Sequence, residues 1–198
     1  MDMQVVNETE GDKRANQKLV RVVVAGATGF AGQELIRLLA RHPHVTITAA
    51  TGSQATSAPR RLPALTKIWD GTVVPLNPGA FEADAVFLAI VRTADQRHIG
   101  NLRIGAIDRH HHTATIALVI GDKSAWGHGL GSEAIALATA HAFSALGLRK
   151  LNARCYATNL GSIRAFEKAG WKHEGRQGSQ FETAAGRVDG VWLGIERA

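Results

Sequence analysis

The sequence is poor in the features that mark secreted, membrane-spanning or disulfide-bonded proteins. Its single cysteine, Cys155, excludes an internal disulfide and a zinc site built from several cysteines. No stretch reaches about 18 consecutive apolar residues, the length that suggests a membrane-spanning helix. Residues 1–18 are polar and lack the apolar core of a secretory signal. We therefore expect a cytoplasmic protein without a membrane partner, with residues 1–18 as a flexible leader.

Acidic residues are fewer than basic ones, and the net charge is +6. Residues 1–90 carry 9 Lys and Arg against 8 Asp and Glu, whereas residues 91–198 carry 14 against 9. The basic residues are scattered without interleaved aromatic side chains, so we expect no nucleic-acid partner. A basic half also suits a phosphorylated cofactor. The composition, 45% hydrophobic and 20% charged, is that of a globular chain.

Hydrophobic patterning predicts an α/β fold in which strands and helices alternate. In the first half we predict strands at 20–25, 45–51, 72–76 and 85–91, a helix at 30–41 and a loop at 52–64. In the second half we predict strands at 98–105, 113–120, 149–157, 178–184 and 187–196, and helices at 132–146 and 160–169.

A first glycine motif, G-x-x-G-x-x-G, lies between the first predicted strand and helix. Its residues Gly26, Gly29 and Gly32 would let the backbone turn tightly and approach a phosphate. Free N–H groups at the helix start would then face the anion. With Thr28, these glycines form a candidate dinucleotide loop. The alternative is that they serve only the tight turn from strand to helix.

Residues 19–90 resemble the N-terminal part of N-acetyl-gamma-glutamyl-phosphate reductase, an NADP-dependent family. Three segments carry the resemblance: 22–32 (VVVAGATGFAG), 34–43 (ELIRLLARHP) and 83–89 (ADAVFLA). The resemblance implies a partial Rossmann-like βαβ half-domain and NADP as a cofactor, with Ser53, Arg60 or Arg61 near its 2′-phosphate. It does not imply reductase activity, because the catalytic cysteine and histidine of that family have no counterpart here.

A second glycine-rich segment, 126–131 (WGHGLG), lies between a predicted strand and an Ala-rich helix. Several backbone N–H groups gather at the start of this helix and would hold the pyrophosphate of a nucleotide cofactor. Glu133 lies in the first helical turn, where its charge complements the helix dipole. The alternative is a plain glycine-rich loop.

Residues 91–198 resemble the core of a GNAT-superfamily N-acetyltransferase, closest to the branch that includes ribosomal-protein-alanine acetyltransferases. Three segments in the family's order carry the resemblance: 98–105 (HIGNLRIG), 120–134 (IGDKSAWGHGLGSEA) and 157–171 (ATNLGSIRAFEKAGW). The resemblance implies a GNAT-like mixed sheet with flanking helices and acetyl-CoA as the cofactor.

The same resemblance assigns cofactor-binding roles by position. The strand ending at Ile120 would bind the pantetheine arm through its backbone. Asn159 would contact the pantetheine or thioester end, with Ser162 nearby. His128 and Arg164 would help to neutralise phosphates, and the alternative for both is a solvated surface charge. The pyrophosphate would be cradled by Trp126, Gly127, His128, Gly129, Leu130, Gly131 and Ser132.

The expected chemistry is direct attack of an amine on the thioester, which needs positioning and proton transfer. The sequence departs from its relatives at two proton-handling positions, with Thr115 in place of a glutamate and Phe166 in place of a tyrosine. Tyr156, the only tyrosine, is the candidate catalytic substitute, and the alternative is a core residue. We expect Asp108 and residues 110–112 to form a solvated turn and no metal site.

The two resemblances meet near residues 87–92. We interpret the chain as a chimera of two half-domains, engineered, selected or natural, whose N-terminal strands dock against, or extend, the C-terminal sheet. Three functions stay open: an N-acetyltransferase with an unknown amine acceptor and weak or absent activity, a non-catalytic folded chimera, and an NADP-binding module. Exposed strand edges would favour a homodimer.

Overall fold

One mixed sheet of nine strands runs through the described residues of the computed structural model, which are 19–52, 58–75 and 83–198. The strands are β1 (Val20–Ala25), β2 (Val45–Thr51), β3 (Val73–Val74), β4 (Ala85–Arg92), β5 (Arg97–Asp108), β6 (Thr113–Ile120), β7 (Lys150–Tyr156), β8 (Lys172–Thr183) and β9 (Gly186–Glu196). The helices of this described part are α1 (Phe30–Leu39), α2 (Leu130–Ser144) and α3 (Leu160–Lys168). The spatial order of the strands is β3-β2-β1-β4-β5-β6-β7-β9-β8. The α/β class predicted from the sequence is confirmed.

The N-terminal strands are parallel. Strand β1 lies between β2 and β4 and is parallel to both, while β3 pairs with β2 in the same sense. Residues 22–24 are three consecutive valines and all are buried, as expected for a parallel strand covered on both faces. Helix α1 connects β1 to β2 and ends at Leu39, two residues before its predicted end. Pro43 follows shortly after, and a proline disfavours helical geometry at the residue before it, here His42.

Strand β4 joins the two halves of the sheet. On one side, Ala85–Leu88 pair with Val22–Ala25 of β1 in parallel register. On the other side, the whole of β4 pairs with β5 in antiparallel register. The sheet therefore continues through the predicted junction near residue 90 without a break, and of the two expected arrangements the N-terminal strands adopt the one that extends the sheet.

Two apolar clusters lie on opposite faces of the sheet. The larger one packs α2 and α3 against β4 to β7 and β9 and includes Ile104, Ile135 and Phe166. The smaller one packs α1 and the residue 62–73 region against β1 and β2 and includes Ile36 and Leu65. Alternating side chains of β1 divide between them, because Val22 and Val24 belong to the smaller cluster and Val23 to the larger. Helix α1 thus lies on the face opposite α2 and α3.

Some element boundaries differ from prediction. Strand β8 begins at Lys172 rather than residue 178, and α2 begins at Leu130 rather than residue 132. The predicted strand at 72–76 is reduced to β3, although residue 76 lies outside the described residues. The predicted loop at 52–64 contains the start of a 3₁₀ turn, Pro63–Leu65, and its residues 53–57 are not described. No helix of the described part has the length and apolarity required to cross a membrane.

Candidate cofactor cleft

The sheet opens between β6 and β7. These parallel strands pair only where Thr113–Thr115 meet Lys150–Asn152. Beyond that point they diverge, and a cleft of about 290 Å³ lies between them. The cleft is lined by Ile116, Ala117, Leu118, Arg154, Cys155, Tyr156, Asn159, Ser162, Phe166 and Phe181. Because backbone groups at such an opening lose their strand partner, they are available to an extended ligand.

The free backbone edge of the cleft belongs to Ile116 and Leu118. The N–H of Gly121 donates to the Ile99 carbonyl of β5, 2.9 Å away. Since alternate peptide groups of a strand point to the same side, those of Ile116, Leu118 and Ile120 point toward β7. The Trp126 indole N–H donates to the Ile120 carbonyl at 2.9 Å. The Ile120 carbonyl thus already accepts one hydrogen bond within the protein, and the role assigned to Ile120 in binding the pantetheine arm stays a prediction.

The predicted phosphate loop adjoins the open end of the cleft. Gly127 and Gly129 have φ values of 79° and 81°, a left-handed conformation that costs other residues roughly 1–2 kcal/mol. Gly129 is the N-cap of α2 and offers no side-chain cap, so the first N–H groups of this helix lack a side-chain partner there. Gly131 faces Leu118 and Ile120 of β6, so the helix start lies next to the cleft wall. Backbone donors and the helix dipole therefore favour an anion at this point.

Helix α3 contributes two of the predicted site residues. Asn159 caps the helix, because its Oδ1 accepts a hydrogen bond from the Ser162 N–H at 3.1 Å. The Ser162 hydroxyl lies 3.3 Å from the Cys155 thiol. Both Asn159 and Ser162 line the cleft as expected, and the amide nitrogen of Asn159 remains for a ligand. His128 and Arg164 are exposed and do not line the cleft.

An aromatic and cationic group forms the wall of the cleft on β7. Tyr156 is 45% exposed, so it is not the core residue of the alternative interpretation. Its ring meets the Phe181 ring edge to face, with centroids 4.4 Å apart. The Arg154 guanidinium lies 5.2 Å from the Phe181 centroid and 5.3 Å from that of Trp192. Sequence analysis missed Arg154, although the spacing from 154 to 156 places both side chains on one face of a strand.

The other proton-handling positions offer no exposed acid or base. Phe166 is 2% exposed, and its ring centroid lies 4.8 Å from that of Trp171. Thr115 is half-buried at the apex of the opening, paired with Asn152. Burial raises the pKa of the Cys155 thiol, which makes this residue a poor nucleophile. The arrangement therefore suits direct transfer rather than an enzyme-bound acyl group.

The first glycine motif forms a tight turn in which the backbone conformation requires Gly26 and packing requires Gly32. Gly26 has a φ of 81°, and a Cβ on Gly32 would lie 2.2 Å from the Gly26 carbonyl oxygen. The N–H of Ala27 donates to Thr51, and that of Gly29 donates to Gly26. The turn therefore accounts for Gly26 and Gly32 without a ligand, but it does not require a glycine at position 29, where φ is −78°.

The remaining parts of the dinucleotide hypothesis stay a prediction. Thr28 accepts a hydrogen bond from Gln33 through its carbonyl, 3.2 Å away. Arg60 and Arg61 are exposed, and Ser53 lies outside the described residues.

The histidine-rich turn lies at the end of β6 opposite the glycine loop. The Asp108 carboxylate accepts hydrogen bonds from the backbone N–H groups of His111 (2.8 Å) and His110 (2.9 Å), which lower its pKa. This is the polar turn that the sequence predicts. Within residues 19–52, 58–75 and 83–198, no group of three or more His, Cys, Asp or Glu is placed to hold a metal ion.

A second cleft of about 410 Å³ lies between β4 and α2. Its lining is mostly aliphatic, with Arg92, Glu133 and His141 as charged or titratable members. Burial lowers the pKa of His141. This cleft lies on the face of α2 and is separate from the β6–β7 opening.

Comparison with curated proteins gives partial matches to reductases. The chain is 33% identical over 150 residues to N-acetyl-gamma-glutamyl-phosphate reductase of Acidothermus cellulolyticus, covering 70% of this chain and 43% of that protein. The corresponding enzyme of Desulforamulus reducens is 41% identical over 76 residues, covering 36% of this chain and 22% of that protein. The chain spans less than half the length of these relatives. The reductase part of the chimera interpretation is therefore not confirmed.

Comparison with solved structures and family models points to the acetyltransferase fold. A spermidine N-acetyltransferase SpeG chimera of Vibrio cholerae and hSSAT superposes with a TM-score of 0.54 at 19% identity, covering 61% of this chain and 74% of that chain. A point mutant of SpeG from Vibrio cholerae gives 0.54 at 18% identity, covering 61% and 70%. The model of the acetyltransferase (GNAT) domain matches residues 40–172, which are 133 of the 198 residues and cross the predicted boundary at residue 90. The chain therefore belongs to the GNAT acetyltransferase domain family.

Proposed function

We propose that this protein is an acetyl-CoA-dependent N-acetyltransferase that acts on an amine. The observation that carries the proposal is that the β6–β7 opening and the glycine loop at the start of α2 adjoin each other, where Gly131 faces Leu118 and Ile120; we call this line the path. A free backbone edge, an uncapped helix start and two left-handed glycines occur together along this path. An extended molecule with an anionic end fits such a path better than a compact one does.

The residues of the path would hold acetyl-CoA in three places. The N–H groups at the start of α2, after Gly127 and Gly129, would bind the pyrophosphate. The peptide groups of Ile116 and Leu118 would pair with the amides of the pantetheine arm. The amide nitrogen of Asn159 would donate to the thioester end. Acetyl-CoA supplies the thioester that the acceptor amine attacks.

Tyr156 would provide the proton that the departing thiol needs. Its side chain lines the cleft and is partly exposed, whereas Phe166 carries no acidic hydrogen. Positioning by the cleft and proton donation by Tyr156 are then the contributions of this chain to the transfer. Gly26 and Gly32 have structural roles of their own in the first turn, so we do not extend the proposal to NADP.

Calorimetric titration with acetyl-CoA, with NADP as the parallel ligand, tests the proposal. We compare Gly129→Ala with Gly147→Ala, because both glycines have positive φ and neither has an atom within 4 Å of a new Cβ. Both variants should lose roughly 1–2 kcal/mol of unfolding free energy. Only Gly129→Ala should weaken acetyl-CoA binding, by about 10-fold, because it shifts the backbone donors at the helix start.

Three outcomes would count against the proposal. Absence of acetyl-CoA binding in a cooperatively folded protein would support the non-catalytic alternative. Equal effects of the two substitutions would mean that the loop does not contact the cofactor. Binding of acetyl-CoA without transfer to any amine of a broad panel would leave a cofactor-binding protein that is not an enzyme.

A further inference from the structure

The face of the sheet that lacks α2 and α3 bears two arginines at the apex of the β6–β7 opening. Arg103 of β5 pairs across the ladder with Ala117, two residues beyond Thr115. Arg154 of β7 lies two residues beyond Asn152. Thr115 and Asn152 form the last strand pair before the opening, so the two arginines stand on either side of its apex. We call Arg103, Ala117, Arg154, Tyr156 and Trp192 the acceptor face.

These five residues share one side of the sheet. Side chains of a strand alternate between faces, and the buried residues Ile104, Ile116 and Cys155 point to the side of α2 and α3. Their neighbours in sequence therefore point to the other side. Arg154 and Trp192 are cross-strand partners, which agrees with the guanidinium lying over the Trp192 ring. An amine that reaches the cleft from this side meets Arg154 and Tyr156.

Neither arginine of the acceptor face has a carboxylate partner within the part of the chain that the structure describes. Other arginines of the described residues do have such partners: Arg92 pairs with Asp95, Arg97 with Asp122, and Arg176 with Asp189. Arg154 instead rests on two aromatic rings, which keep its position but leave its charge uncompensated. The acceptor face is therefore positively charged at the point where the amine would react.

The phosphates of the cofactor do not account for this charge. The glycine loop follows Ile120, three residues beyond Ala117, which is about 10 Å along an extended strand. Backbone donors at the start of α2 are available to the phosphates there. Arg154 lies instead beside the inner part of the cleft, with Tyr156 and Phe181.

On the basis of the proposed function, we propose that the acceptor is an amine that carries a carboxylate, and that Arg154 determines this specificity. The guanidinium attracts the carboxylate and repels a second ammonium group of the acceptor. The same positive charge favours the neutral form of the reacting amine over its ammonium form. In the reaction the amine nitrogen bonds to the acetyl carbon, the carbon–sulfur bond breaks, and the nitrogen loses a proton while the sulfur gains one.

Three matched amines test this specificity: 4-aminobutyrate, 4-aminobutanamide and 1,4-diaminobutane. They share chain length and reacting group but end in an anion, a neutral amide and a cation. We expect kcat/KM to decrease in that order, with roughly 10-fold or more between the first and last and a smaller ratio at high salt. Arg154→Gln should reduce the ratio to within about threefold, and because the ratio compares amines with the same cofactor, any change in acetyl-CoA affinity cancels from it.

A control variant and a binding measurement distinguish failure of this inference from failure of the proposed function. Arg187→Gln removes one exposed positive charge at the start of β9 and should leave the ratio unchanged. Equal kcat/KM values for the three amines, or a ratio unaffected by Arg154→Gln, would overturn the inference. Acetylation of the amines would still support the proposed acetyltransferase activity. If acetyl-CoA binds and no amine is acetylated, calorimetry with the three amines decides. Preferential binding of 4-aminobutyrate, lost in Arg154→Gln, supports the inference, and equal binding overturns it.

Discussion

At the scale of single residues, Tyr156 carries the strongest prediction about catalysis. Two side chains of the cleft have a titratable O–H or S–H group, Tyr156 and Cys155, and the second is buried against Ser162. Tyr156→Phe removes the hydroxyl and keeps the ring that packs on Phe181. We expect kcat to fall by roughly 100-fold, because general acid catalysis contributes at least that much. Steady-state kinetics with saturating acetyl-CoA measures the change.

The same variant contains its own control. Its acetyl-CoA affinity and melting temperature should match those of the parent protein, since the edge-to-face contact remains. An unchanged kcat would mean that solvent, and not Tyr156, donates the proton. A loss of affinity equal to the loss of kcat would instead give Tyr156 a binding role.

Some site residues were predictable from sequence and others were not. Gly127 and Gly129 were predictable because only glycine adopts a left-handed turn at little cost. Phe181 was not, because it reaches the cleft from β8, 25 positions after Tyr156 in the sequence, through sheet pairing. The hydrogen bond from the Trp126 indole to the Ile120 carbonyl depends on a side-chain rotamer, which no spacing rule contains.

At the scale of elements, helix α2 links stability to pH through His141. This residue is half-buried, and its burial lowers its pKa below that of the unfolded chain. The unfolded state therefore binds more protons below about pH 6.5, so acidification from pH 7 to 5 reduces the unfolding free energy. Arg92 and Glu133 are the charged side chains that line the same cleft. His141→Gln should flatten this dependence in chemical denaturation curves.

His128→Gln is the matched control for this prediction. His128 is exposed in the glycine loop, so its replacement should leave the slope between pH 5 and 7 unchanged. If the unfolding free energy of the parent and of His141→Gln changes equally with pH, protonation of the His141 ring does not destabilise the folded state. A flattened slope in both variants would point to a general charge effect.

Some strand boundaries follow from the β propensity of the local sequence, and others depend on pairing with a neighbouring strand. Strands β1, β2 and β6 match their predicted bounds, because each is rich in β-branched or alternating apolar residues. The first residues of β8, 172–177, are polar and exposed, so hydrophobic periodicity cannot reveal them. They nevertheless form a strand because they pair with residues Gly194 to Gly190 of β9. The start of β8 is therefore determined by its partner strand and could not be predicted from the local sequence.

At the scale of the whole molecule, β4 makes the N-terminal strands and the acetyltransferase strands parts of one sheet. Val23 of β1 and Ala83 belong to the same buried cluster as Ile104 and Phe166. The match to the GNAT family model begins at residue 40, well inside the segment that resembles a reductase. The division at residue 90 and a homodimer built on the sheet edges both stay predictions. Continuous pairing through β4 nevertheless favours a single folding unit.

Ile36→Ala tests whether the molecule unfolds as one unit. Ile36 is fully buried in the smaller cluster, and its truncation should cost about 2–5 kcal/mol. In a single cooperative unit, hydrogen exchange at Leu151 and Ala153 of β7 should lose protection by the same amount. Leu38→Ala on the same helix is the control, because Leu38 is 69% exposed and should leave exchange unchanged. If Ile36→Ala exposes only β1 and β2 to exchange, the N-terminal strands form a separate unit, and the acetyltransferase part keeps its stability without them.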